Sequence, residues 1–228
     1  MKEENLFQRN NIIRASVMGA NDGIISIAGI VIGVAGATSH VGTVILAGFA
    51  GTLAGTVSMA MGEYVSVSSQ HDAQQKVAHE QKQALESDYE GEFEFVCQKY
   101  QETGISEILA MKATAEMMEK DALGTTVRER HGFTLGQELS AKGAALASML
   151  SFPAGALLPM LAISLIPSFW NKIATVFAVL IALAFTGYAA AQLNGADKRH
   201  AAMRNVIAGI LTMLVTYLVG LLFRQGGL

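Results

Sequence analysis

Long apolar runs alternate with one long polar stretch along the chain, and each run has the length of a membrane crossing. From Ala15 to Ala37 only Ser16, Asn21, Asp22 and Ser26 interrupt the apolar sequence. At 1.5 Å per residue, about 20 residues span a hydrocarbon core, so this is a first crossing. Residues 1–13 are a short polar or interfacial lead-in to it. Thr38–Gly42 is a small polar turn, and Thr43 to about Val65 makes a second crossing. Three more follow at about 143–166, 173–193 and 205–223, joined by Pro167–Lys172 and Asn194–Arg204. Pro153 and Pro159 fall inside the third and are expected to kink it or make it discontinuous.

The polar stretch is different in kind. Residues 64–142 hold 14 of the 19 acids and 8 of the 16 bases. Gln70 to about Ser87 reads as a continuation of the second crossing into water. Glu90–Thr103 reads as a helix closed by Gly104, and Ser106 as the N-cap of another running to about Leu123. Thr134 with Gln137 matches a capping box that opens the helix returning to the membrane. The pattern predicts an all-α membrane protein of five transmembrane helices, with a helical cytosolic insert between helices 2 and 3. Residues 1–66 form the lead-in and first hairpin, 67–141 the insert, and 142–228 the last three crossings.

Composition agrees. The chain of 228 residues is 51% hydrophobic and 15% charged, against roughly 25% charged in soluble domains. A net charge of −3 is too small to suggest a nucleic-acid partner. The single cysteine, Cys97, excludes an intramolecular disulfide. The start, MKEENLFQRN, lacks the apolar core of a cleaved signal peptide. Lys2, Arg9 and Arg14 precede the first crossing, and Lys198, Arg199 and Arg204 fill the fourth connection. The opposite side holds Lys172 and Arg224. By the positive-inside rule the N-terminus and insert are cytosolic and the C-terminus is outside. The short termini point to a bacterial inner membrane.

Asp22 is the residue that most needs a reason. It lies eight residues past Arg14, roughly 12 Å along a helix, where a charge costs at least about 2.5–3.5 kcal/mol on insertion scales. Such acids face a cavity, pair with a cation or relay protons. Counting outward from a turn centred near His40 puts Ser58 and Met59 at the depth of Asp22, with Glu63 one turn further toward the cytosol. A carboxylate with a thioether favours softer transition ions over magnesium or calcium. Glycines spaced small-xxx-small (Gly19/Gly23, Gly29/Gly33, Gly51/Gly55) are helix-packing faces. In the insert, Glu86, Glu90 and Glu94 recur every four residues beside Glu80, Asp88 and Glu92, a density that suggests a cation site despite like-charge repulsion. Met117 and Met118 precede Asp121 by one turn, and methionines in a charged helix call for an apolar partner or a soft metal. His71, His79 and His131 show no metal-ligand spacing. An intramembrane protease needs two deep acids, and only Asp22 is deep; H-E-x-x-H is absent and no crossing carries G-x-S-x-G. The chain is therefore not expected to be an enzyme.

ASVMGANDGIISIAGIVIGVAGA and SMAMGEYVSVSSQ resemble the two signature stretches of the vacuolar iron transporter family, in a bacterial-type form with a cytosolic metal-binding helical insert. The resemblance covers essentially the whole chain. It implies a homodimer in the bilayer, with a path between subunits lined by the first crossings. It also implies proton-coupled export of ferrous and related ions from the cytosol, with Fe²⁺ or Mn²⁺ as cargo and no cofactor. Asp22 and Met59 match the family's transport-path acid and methionine, and Glu63 falls at the cytosolic mouth. Met117, Met118 and Asp121 look like the family's two insert methionines and following acid, with aspartate where glutamate is usual. Glu92 fits one ligand position, and Glu80 another with a one-residue shift. Gln81 or Gln83, Ala84 and Phe95 stand where further ligands are expected. The insert is thus expected to bind divalent ions more weakly, to bind fewer, or to use Glu86, Glu90 and Glu94. A metal-binding sensor or scaffold without transport is the alternative function.

Overall fold

The structure is a computed structural model that describes residues 2–136, 139–167 and 169–225, with backbone alone for 2–7. Every regular element among the described residues is a helix: α1 (Lys2–Ala37), α2 (Val41–Ser87), α3 (Tyr89–Glu102), α4 (Glu107–His131), α5 (Ala141–Leu165), α6 (Asn171–Asn194) and α7 (Lys198–Gln225). They fall into two compact units, one of Arg9–Val65 with Ala141–Leu228 and one of Met1–Gln8 with Ser66–Ser140; α2 contributes to both.

Among the described residues five helices are long and apolar enough to cross a membrane: Gln8–Ala37 of α1, then α2, α5, α6 and α7. In the first unit they bury Ile27, Val31, Phe152, Ile163, Val179 and Leu183. Their outward faces are apolar too, with Leu46, Phe49, Leu53 and Val57 on α2, Phe177, Ile181 and Phe185 on α6, and Leu218 and Leu222 on α7 all exposed. A surface of this kind needs lipid, and helices suit lipid because their backbone groups are satisfied internally. The chain is an integral, multi-pass membrane protein.

Glycine lets α1 approach its neighbours backbone to backbone. A Cβ at Gly23 would meet the Phe152 carbonyl of α5, one at Gly155 the Ala20 carbonyl of α1, and one at Gly220 of α7 the Gly33 carbonyl. Gly29 lies against Thr212 and Thr216, and Gly51 against Ile27 and Ile30. The three small-residue faces therefore pack within the chain. Hydrogen bonds add polar ties: Asn21 Oδ1 accepts from Thr186 Oγ1 of α6 at 3.1 Å and from Asn205 Nδ2 of α7 at 3.0 Å. Between α6 and α7, Asp197 Oδ1 caps α7 by accepting from the Arg199 and His200 amides. The His200 side chain and these amides hold the Asp197 carboxyl below the usual aspartate range.

Three local expectations change. α5 continues through Pro153 and Pro159 as one helix; the lost amide bonds are local, and Phe152, Ala156 and Pro159 are packed in the core around them. Its first residue is Ala141, seven beyond Thr134, and Gln137 of the expected capping box lies outside the described residues. Ser106 stands at the N-cap of α4 without a capping side-chain bond, and α4 runs on to His131 through a break at Asp121 (φ −158°, ψ 85°). In this second unit the inward stripe is Val96 and Cys97 of α3 with Ala110, Thr114, Met118 and Val127 of α4.

Candidate metal path and the insert clusters

The inward face of α2 is made of small and apolar residues at helical spacing: Val44, Gly48, Gly55 and Ala60, with Glu63 continuing the stripe. Glu63 is 7% exposed. A carboxylate so placed needs a cation, and Arg14 of α1 supplies it, NH2 to Oε2 at 3.1 Å. This pair and the close approach of Gly48 to Val31 mark the antiparallel register of α1 on α2. Interpolation between the two puts Asp22 level with Thr56, about one turn from Met59 and about two from Glu63. Asp22 is half-buried and its Oδ1 accepts from Ser26 Oγ at 2.7 Å. Met59 packs against the apolar core. A carboxylate on α1, and a thioether and a second, buried carboxylate on α2, therefore lie within about two helical turns of one another along the bundle.

The insert residues are placed differently from a ligand set. Glu92, on α3, is gripped by Arg130 at the end of α4, with NH2 3.0 Å from both oxygens and Nε 3.3 Å from Oε2. Gln81 of α2, 4% exposed, donates to the same carboxylate at 2.7 Å. The Arg130 guanidinium lies 3.7 Å from the centre of the Phe95 ring. So Gln81 and Phe95, at positions where the resemblance expects ligands, serve an arginine-centred cluster. Met118 is 3% exposed on the apolar stripe, which satisfies its need for a partner. Met117 Sδ lies 3.1 Å from the Tyr100 hydroxyl, which also reaches Glu129 at 3.1 Å. Burial and then the Glu129 charge push the Tyr100 hydroxyl up, keeping it protonated as a donor. Asp121 Oδ1 accepts from the Gly124 amide at 2.8 Å and so caps the second half of α4 after the break. Glu80 is exposed beside Lys76, 3.7 Å away. Among the described residues no three His, Cys, Asp or Glu side chains gather to hold an ion. In this arrangement Glu80, Glu92, Met117, Met118 and Asp121 each have other contacts.

This cluster carries a prediction. A chelator added to the full-length protein leaves the helicity of α3 and α4 unchanged, because a guanidinium holds them together. Arg130→Ala costs the insert about 2 kcal/mol, between the values of exposed and buried pairs, since it strands Glu92. Hydrogen exchange across α3 and α4 measures it, and melting of the insert by chelator alone would contradict it.

Arg14 and Arg130 are the residues that sequence reasoning missed. Arg14 was legible only as a flanking charge and Arg130 only as one base among eight. Their partners lie 49 and 38 residues away, and no local spacing marks such a pair.

A model of the VIT family matches residues 13–221. The vacuolar iron transporter of Acanthamoeba castellanii is 35% identical over 211 residues, 92% of this chain and 78% of the relative. Vacuolar iron transporter homolog 2 of Arabidopsis thaliana is 32% identical over 211 residues, 92% of this chain and 83% of the relative. Vacuolar iron transporter homolog 1 of Oryza sativa subsp. japonica is 34% identical over 225 residues, 98% of this chain and 78% of the relative.

Proposed function

The chain belongs to the VIT family, and from that premise we propose that it carries ferrous iron, and manganese with it, out of the cytosol in exchange for protons. Membership places it among transporters rather than enzymes. The observation that carries the proposal is that two carboxylates, Asp22 on α1 and the buried Glu63 on α2, lie in helices long and apolar enough to cross a membrane. In this reading the ion meets Glu63 first and then Asp22 with Met59. Ligating carboxylates must be ionised, so a proton arriving at Asp22 from the far side releases the ion. The thioether of Met59 tilts selectivity toward softer ions. The lysine and arginine bias supports a cytosolic N-terminus and insert. Two copies of the chain form the working unit, with α1 of each lining the path.

The insert's role in this proposal is electrostatic. Glu86, Glu90 and Glu94 are exposed, and such a single-sign surface raises the local concentration of divalent cations without a fixed ligand set. Glu92 is not free to take part while Arg130 holds it.

Reconstitution into liposomes tests the function. With the proton gradient opposed to the ion, Fe²⁺ flux is expected to rise above that at equal pH. Mn²⁺ and Co²⁺ should compete more strongly than Mg²⁺. Binding of Fe²⁺ without flux would identify a sensor or scaffold and overturn the transport reading.

A further inference from the structure

The guanidinium of Arg14 has unusual company. Its NH2 nitrogen donates at 3.1 Å to Glu63 Oε2 and at 3.1 Å to Asn11 Oδ1. Its NH1 lies 3.1 Å from Met18 Sδ. A carboxylate oxygen, an amide oxygen and a thioether therefore converge on one cation. These are the donor types that a divalent ion of intermediate softness accepts. Asn11 is itself 7% exposed, its Oδ1 accepts from Arg14, and among the described residues its Nδ2 is a buried donor with no partner.

Arg14 is poorly committed to Glu63. The contact is a single hydrogen bond, not the paired fork that makes arginine–carboxylate bridges strong. The side chain of Arg14 is 49% exposed while that of Glu63 is 8% exposed. The arginine can swing out of the contact, whereas the carboxylate is enclosed. Left alone, a buried carboxylate is costly, so whatever removes Arg14 must bring a positive charge of its own.

We propose that Arg14 is a tethered stand-in for the transported ion: it occupies an access site made of Glu63, Asn11 and Met18, and an arriving divalent cation takes that site by displacing the guanidinium to solvent. The inference rests on the proposed function only in placing this end of α1 and α2 on the route of the ion. Arg14 acts by competition, so it sets apparent affinity and keeps Glu63 compensated between transport cycles. Asn11 and Met18 become ligands that the transport-path residues Asp22, Met59 and Glu63 do not include.

The test is the Fe²⁺ dependence of flux in proteoliposomes of the full chain. Arg14→Gln removes the competitor and is expected to lower KM about threefold to fivefold, the scale of a half-exposed ion pair. Arg14→Lys keeps a competing charge and restores a KM near wild type. Met18→Leu, at a partly exposed position, raises KM for Fe²⁺ more than for Mn²⁺. A raised or unchanged KM in Arg14→Gln would overturn the proposal. If that variant does not fold, an unchanged Fe²⁺ KM in Met18→Leu overturns it instead. Glu63→Gln separates the two readings. If it transports like wild type, the route past Glu63 is wrong. If it is impaired while Arg14→Gln leaves KM unaltered, the route stands and the stand-in role fails.

Discussion

Asp22→Asn reduces Fe²⁺ flux at least about a hundredfold, the effect of losing a charge–charge contact worth on the order of 3 kcal/mol in a partly desolvated site. Asparagine has the shape of aspartate, and its carbonyl oxygen still accepts the Ser26 hydroxyl that Oδ1 accepts now. The fold is therefore expected to survive, and the melting temperature to stay at the wild-type value. What is lost is an ionisable oxygen ligand. Two readouts should fail together: the rate, and the acceleration of residual flux by an opposing proton gradient. Asp22→Glu keeps the charge on a longer arm and should retain part of the rate with its pH response. Undiminished transport by Asp22→Asn would remove Asp22 from the path whatever else the chain does.

Gly155→Val is expected to have the largest effect on stability. A Cβ there lands on the backbone carbonyl of Ala20, and the reciprocal position Gly23 meets the carbonyl of Phe152. A flexible side chain yields to an added methyl at small cost, but here the obstacle is a helix backbone, so α1 and α5 must separate. The loss is expected at about 3 kcal/mol or more, the upper end for overpacking. It is read as a collapse of the melting transition in detergent and of the monodisperse peak on gel filtration. Because the helix crossing, once opened, stays open, Gly23→Val added to Gly155→Val should cost much less than the sum of the two. Gly62 is the control: a Cβ there meets nothing within 4 Å. Gly62→Ala should hold or raise stability, by up to about 1 kcal/mol from helix propensity. A wild-type melt for Gly155→Val would show that α1 and α5 do not meet as described.

Separation of α1 from α5 would also reach the candidate path. Gly19 and Gly23 flank Asn21 and Asp22, so the residues that set the approach to α5 also set how Asp22 is turned. Asn21 is tied to α6 and α7 through Thr186 and Asn205. The orientation of the acid is thus held from three helices.

Much of the architecture was legible in the residues themselves. Apolar run lengths mark the five crossings because transfer into lipid depends on the segment and little else. The polar stretch after Val65 reads as helical from its periodicity and turn residues. Asp22 stands out because one acid in an apolar run is costly, whereas the count outward from the turn at Thr38–Gly42 is about three residues off the register that the packed helices adopt. The inferences that hold rest on energies that act within a segment. The identity of ion-pair partners rests on something else. Arg14 sits on Glu63 and Arg130 on Glu92 because helix register brings them together, and any other base within reach of a fold would have read equally well. The same limit governs the insert. Met117, Met118 and Asp121 look alike as candidate ligands along the chain, yet one sulfur meets a tyrosine hydroxyl, the other fills the core, and the carboxylate caps a broken helix. The sequence by itself determined how many helices cross, where the costly acid lies and which faces are small. The tertiary structure alone decided which charges are already spent on one another, because burial and pairing are properties of the packed helices and not of any one of them.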